Sequence, residues 1–123
     1  MSNNIYFISG HLDLTAYEFV QHYIPLIDQA LKEKDASFVV GDYRGGDNMA
    51  QLYLTGRTNN VTVYHMFKSP RHNAGNFKTK GGFKSDTERD SQMTRDSTID
   101  IAWIRPGKEK SGTARNLKRH HQI

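Results

Sequence analysis

Residues 5–19, Ile5-Tyr6-Phe7-Ile8-Ser9-Gly10-His11-Leu12-Asp13-Leu14-Thr15-Ala16-Tyr17-Glu18-Phe19, decide the fold class. Ile5 to Ser9 is a short apolar run closed by Gly10, which reads as a buried first strand. A helix start follows at once. Thr15 is a good N-cap, and Glu18 stands three residues on, the spacing of a capping box. Leu14 before the cap and Phe19 at the fourth helical position complete a hydrophobic staple. Phe19, Tyr23, Leu26, Ile27, Ala30 and Leu31 then share one apolar stripe. Pro25 within that stripe predicts a kink or a break.

The same strand–turn–helix grammar recurs along the chain. Phe38-Val39-Val40 reads as a second buried strand that stops at the turn Gly41 to Asn48, and Asp47 or Asn48 would cap a helix over Met49 to Leu54. Val61 to Tyr64, rich in β-branched residues, is a third strand. Residues 68–86 hold four Gly/Pro, four Lys and one Arg and read as a long, mobile, basic loop. Asp86 or Thr87 would cap a helix reaching about Ser97. Ile99 to Ile104 is a fourth strand closed by Pro106-Gly107, and Gly112-Thr113 opens a last helix. Strands alternating with helices predict one Rossmann-like α/β domain over 1–123, an open parallel sheet of about four strands. The expected order is 3-2-1-4. That order puts the switch point, where such sheets bind ligands, between the first and fourth strands.

Composition bounds the function. A chain of 123 residues fits one domain. Hydrophobic residues at 36% and charged residues at 24% argue for a folded rather than disordered chain. No apolar run approaches the roughly 20 residues a membrane helix needs, and MSNNIYF is not expected to be a signal peptide. There is no cysteine, which excludes disulfides, thiolate chemistry and Cys-based zinc sites, and makes a cytoplasmic location the expectation. The net charge of +4 is uneven: residues 1–60 carry −3 and residues 61–123 carry +7. A basic second half points to an anionic partner.

Glycines between a strand and a helix let phosphate approach backbone N–H groups at a positive helix end. The chain offers this at Gly10, at Gly41, Gly45 and Gly46, and at Gly107 and Gly112, where Ser111 and Thr113 add hydroxyls. None matches a dinucleotide fingerprint or a Walker loop. The order of Ser9-Gly10-His11, Gly41 to Asp47, Arg89-Asp90-Ser91-Gln92-Met93 and Gly112-Thr113 resembles the SLOG superfamily. This is the Rossmann-like group of the LOG-type nucleotide phosphoribohydrolases and the DNA-processing protein DprA; the likeness is greatest to its small stand-alone members. The resemblance implies a nucleotide or nucleotide-derived ligand. Ser9, Gly10 and His11 would line its base or ribose side, and Gly45, Gly46 and Asp47 its second edge. Ser111, Gly112 and Thr113 would cradle phosphate, with Arg44 and Arg89 as clamps. Met93 belongs to the same motif, although alone it reads as core.

One departure bears on chemistry. Catalytic LOG-type members and the related nucleoside deoxyribosyltransferases carry a glutamate where this chain has Asn116. Asparagine cannot act as nucleophile or general base. Glu88, Asp90 or Asp47 would have to supply a carboxylate for N-glycosidic cleavage or for transferase-like chemistry. Asn116 favours a sensor or sequestering module instead.

Other residues have bland and functional readings side by side. His11 is a ribose or base donor, or a polar loop residue. Asp47 is a ribose ligand, a helix cap, or both. Arg89 in a first helical turn is disfavoured by the helix dipole unless an anion compensates it. Trp103 and Met49 read as core, and Tyr43 as a base-stacking or edge-covering aromatic. His120 and His121 read as a polar tail, so neither a metal nor a resident cofactor is expected. The basic segment 68–86 reads as a lid over an anionic small molecule, as a disordered insertion, or as a nucleic-acid grip in which Phe77 and Phe83 interleave with lysines. Apolar surface on the first or last helix would suit a homo-oligomer.

Overall fold

The structure is a computed structural model that describes residues 3–121. Five strands and five helices follow in the order β1 (Ile5–Ile8), α1 (Ala16–His22), α2 (Ile24–Leu31), β2 (Ser37–Gly41), α3 (Gly46–Leu54), β3 (Val61–Met66), β4 (Lys78–Phe83), α4 (Asp86–Asp96), β5 (Ile99–Ile101) and α5 (Gly112–His121). The strands form one sheet, ordered β4-β3-β2-β1-β5, and every pairing is parallel. This is a Rossmann-like open parallel sheet. The strand order reverses between β1 and β5, as the sequence predicts. Among the described residues no helix is long and apolar enough to cross a membrane.

Successive strand residues point to opposite faces, and two apolar clusters record this. Tyr6, Ile8, Phe38, Val40, Val61 and Val63 pack with Phe19, Tyr23, Ile27, Ala50 and Leu54 of the first three helices. Phe7, Val39, Tyr64 and Phe83 pack with Met93 of α4 on the other face. Met49 and Trp103 are partly buried against the first cluster, and the Trp103 ring stacks on His22 with 4.0 Å between centroids.

The capping box at Thr15 and Glu18 is formed. The apolar stripe breaks at Tyr23, and Pro25 takes a first-turn place in α2, where its missing N–H costs nothing. Tyr23 is fully buried. Its hydroxyl donates to the Ser9 carbonyl at 2.8 Å and accepts from the Trp103 N–H at 3.1 Å, joining the ends of β1 and β5.

Four expectations are corrected. The sheet has a fifth strand, β4, inside the segment read as a loop over 68–86. It is an edge strand, exposed except at Phe83, so lysine and glycine are what an edge favours. The residues before it are anchored: Gln51 donates to the His72 carbonyl and accepts from the Ala74 N–H. The last strand ends at Ile101, short of Ile104. α4 is capped by Ser85, whose hydroxyl accepts from the Glu88 N–H. α3 starts at Gly46, ahead of the expected Asp47 or Asn48 cap, with Gly45 as N-cap at φ +76°.

His120 is likewise no loose tail. Its Nδ1 faces the Asp100 carboxylate and its Nε2 lies 3.0 Å from the Thr94 carbonyl, which docks α5 on α4 and β5. The side chain of His121 lies outside the described residues.

The β1–α1 loop and the first turn of α3 meet backbone to backbone. A Cβ added to Gly46 would lie 2.6 Å from the Gly10 Cα, and the Gly46 N–H donates to the His11 carbonyl at 3.1 Å. Gly46→Ala is therefore expected to lower the denaturation midpoint by the equivalent of about 1–3 kcal/mol. Gly112→Ala, whose Cβ meets nothing nearer than Arg115 at 3.7 Å, should stay within about 0.5 kcal/mol of the parent. Equal effects of the two changes would remove the close-approach account.

Candidate functional site

A cleft of about 510 Å³ opens at the carboxyl edge of the sheet, at the β1–β5 reversal. Its floor is Phe7, Ser9 and Gly10 from β1 and the turn after it, with Met93 of α4. Asp47 closes one side with Tyr43 and Arg44, and the first turn of α4 adds Asp86, Thr87, Arg89 and Asp90. His11, Leu12 and Asp13 continue the lining from the β1–α1 loop, and a further wall is Lys108 with Ser111, Gly112, Thr113, Arg115, Asn116 and Arg119 of α5 and its approach. Of the residues singled out in the sequence, Ser9, Gly10, His11, Arg44, Asp47, Arg89, Asp90, Met93 and Ser111 to Thr113 come together here. Gly45, Gly46 and Glu88 do not line it. The two glycines serve the approach to Gly10, and the Glu88 carboxylate accepts from the Lys84 N–H.

The α4 side is a carboxylate cluster built on two arginines. Asp42, fully buried at the end of β2, accepts from the Arg71 backbone N–H, from Arg71 Nε and Nη2, and from Arg89 Nη1. Arg89, also buried, binds Asp86 at 3.1 Å and Asp90 at 2.9 Å. Its guanidinium is thus occupied by carboxylates. The dipole argument had asked for a compensating anion at Arg89, and the protein itself provides it. Arg89, expected as a phosphate clamp, lines the cleft with these carboxylates already on its guanidinium. Burial raises the Asp42 carboxyl, but the hydrogen bonds from Arg71 prevail and hold it below its ordinary value. Arg71 also lies over the Tyr43 ring at 4.2 Å, covering a face that a base would need.

Asp47 differs. Its Oδ2 accepts from the Tyr43 N–H at 3.2 Å, and Arg89 favours its ionised form but spends its N–H groups on the neighbouring aspartates. Burial dominates, Asp90 and Asp42 add repulsion, and the carboxyl is pushed up to about 7. Burial also lowers His11, with the Arg105 charge assisting. Its Nε2 accepts from the Arg105 N–H at 2.9 Å and its ring meets Trp103 edge-on. One ring nitrogen of His11 is therefore committed to structure.

The α5 wall is positive. Ser111 caps the helix, its hydroxyl accepting from the Ala114 N–H at 3.2 Å. Thr113 and Asn116 are buried, and the Asn116 side-chain oxygen accepts from Arg119. Ser9 is 5% exposed and its hydroxyl has no hydrogen-bond partner. Among the described residues no group of three or more His, Asp or Glu could hold a metal ion.

Asp42, Arg71 and Asp86 were not singled out as site residues from the sequence, nor were Lys108, Arg115 and Arg119 of the basic wall. Arg115 and Arg119 carried a usable signal, four residues apart on one helix face. Asp42 carried none, since its partners lie 29 and 47 residues away. The fold and cleft define a Rossmann-like domain with a ligand-sized cavity at its switch point. The chain matches no protein-family model, no curated protein and no solved structure.

Asp47 has a measurable consequence. Between the ordinary carboxylate value and about 7, the unfolded chain releases this proton and the folded chain keeps it, so stability falls as pH rises across that window. The loss is about 1.4 kcal/mol for each pH unit crossed, and Asp47→Asn removes it. The variant is expected to melt several degrees above the parent at pH 8 and close to it at pH 4. A variant less stable than the parent at pH 8 would mean that the ionised carboxylate is well paired.

Proposed function

We propose that this chain binds a nucleotide or nucleotide-derived small molecule in the cleft, as a small stand-alone domain of the SLOG kind. The observation that carries the reading is the opposite polarity of the two walls within one cavity. Carboxylates at Asp47, Asp86 and Asp90 suit the hydroxyls of a ribose. The N-terminus of α5, with Ser111, Thr113 and the cations beside it, suits phosphate. The position at the reversal of strand order supports the same reading.

The chain would act as a sensor or sequestering module, because Asn116 is buried and engaged with Arg119 rather than replaced by a carboxylate. N-glycosidic hydrolysis, or transfer of the deoxyribosyltransferase type, is the second reading. Asp47 favours it, as a carboxyl able to hold a proton near neutral pH within the cleft. The nucleic-acid reading loses support: Phe83 is buried against Tyr64 and Phe77 packs on the core, so neither is offered to a base.

A thermal-shift screen against nucleosides, nucleotides and ADP-ribose, with products checked by mass spectrometry, tests the reading. A ligand at a hundred times its dissociation constant stabilises the fold by roughly 2.7 kcal/mol. Gly112→Asp fits open space at a helix start and should abolish that shift while leaving the unliganded melting point close to the parent. An unchanged shift would remove phosphate from α5. Free base released by the parent protein would establish hydrolysis.

Asn116→Glu restores the carboxylate of the catalytic relatives. Slow release of base is expected from this variant if its ligand sits as the SLOG resemblance implies. Ligand bound and intact in the variant would count against that placement.

A further inference from the structure

Two groups of cations on and around the cleft differ in their partners. Arg71, Arg89 and Arg105 are each held by carboxylates within 3.0 Å. Lys108, Arg115 and Arg119 line the cleft, as does Arg44; among the described residues no carboxylate lies within salt-bridge distance of them, and the cleft's Asp13 acts on Lys108 only at longer range. Arg115 donates to the Lys110 carbonyl and Arg119 to the Asn116 amide, both neutral acceptors. Three like charges gather on one wall, Lys108 and Arg115 exposed and Arg119 half-buried, so each gains from an anion placed between them.

Their spacing is informative. Arg115 and Arg119 stand one turn apart on the same face of α5, about 6 Å along the axis. Lys108 lies before the helix. A single phosphoryl group at the start of α5 would meet Lys108 and Arg115 and leave Arg119 further along the wall. A second phosphoryl group would extend along the helix face towards it. A nucleoside diphosphate brings about three negative charges at neutral pH, matching the three cations of this wall. The buried Ser9 hydroxyl, which has no partner within the protein, offers a further polar contact in the same cleft.

Resting on the reading of this cleft as a nucleotide site, we propose that its ligand carries two linked phosphoryl groups: a nucleoside diphosphate or a diphosphate-linked nucleotide. Arg119 selects it over the corresponding monophosphate.

Isothermal titration of the whole chain with AMP, ADP, GMP, GDP, CMP, CDP, UMP, UDP and ADP-ribose tests this. For the preferred base the diphosphate should bind at least tenfold more tightly than the monophosphate, with a steeper loss of affinity as salt rises. Arg119→Ala and Arg119→Gln should each erode that preference and leave monophosphate affinity within about twofold, and the glutamine variant keeps the test alive if the alanine variant folds poorly. Lys108→Ala should weaken mono- and diphosphate binding alike. Inorganic pyrophosphate should displace the bound nucleotide at lower concentration than inorganic phosphate. Equal affinity for mono- and diphosphate, or a preference that survives both Arg119 variants, overturns the proposal and leaves the nucleotide reading standing. Binding of pyrophosphate with no contribution from any nucleoside overturns the nucleotide reading instead. No binding by any probe overturns both.

Discussion

The Asp42 carboxylate is the constraint on which the site depends. It sits fully buried at the end of β2 and takes hydrogen bonds from Arg71, in the segment between β3 and β4, and from Arg89 in α4. Three chain segments are thereby fixed to one pair of oxygens. Burying an aspartate is tolerable only because both arginines reach it, and burying Arg89 only because Asp42, Asp86 and Asp90 surround it. Removing one member leaves an uncompensated charge, which typically costs about 3–5 kcal/mol. The network also sets the character of the cleft. It occupies the arginine that an anionic ligand would otherwise claim, and it crowds negative charge around Asp47.

What the sequence made legible follows from the range of each interaction. β1, β2 and β3 were readable because a buried parallel strand is a short apolar run; β5, Ile-Asp-Ile at the other edge with only Ile101 buried, was found but read three residues too long. The capping box at Thr15 and Glu18 and the break at Pro25 are decided within four residues, so local rules suffice. β4 was not readable. Lys78 to Phe83 pairs with β3 mainly through backbone, at an edge where only Phe83 is buried, against Tyr64, and the other side chains face water. The start of α3 was misplaced because its cap is fixed by tertiary contact: Gly45 lies against the His11 and Leu12 carbonyls at a backbone angle that glycine tolerates.

The site was legible in its motifs and illegible in its electrostatics. Ser9, Asp47, Arg89 and Gly112 were all located by their loops. Arg89 illustrates the difference between position and role. Its place in the first turn of α4 pointed to an anion, yet nothing within that helix indicated that Asp42, 47 residues earlier, would help to provide it. Arg115 and Arg119 were overlooked for the opposite reason. A charged pair four residues apart is ordinary on a solvated helix, and the wall they form depends on where α5 docks. That docking rests partly on His120, a residue whose terminal position suggests a loose end, through Asp100 and Thr94.

Three features of the cleft work against the unliganded fold. Asp47 is buried where burial and its neighbours oppose its charge. The Ser9 hydroxyl is buried without a partner, at a typical cost of about 1–3 kcal/mol. Lys108, Arg115 and Arg119 share a wall where, among the described residues, no carboxylate pairs with them. Beside the cleft the same chain satisfies its charges closely at Asp42 and Arg105. The concentration of the three features in one cavity is therefore informative where any one alone would not be. A ligand with phosphoryl groups towards α5 and hydroxyls towards Asp47 would satisfy all three together. Strain kept for binding differs from imperfect packing in one respect: substitutions that stabilise the protein at these positions weaken ligand affinity in the first case and leave it unchanged in the second.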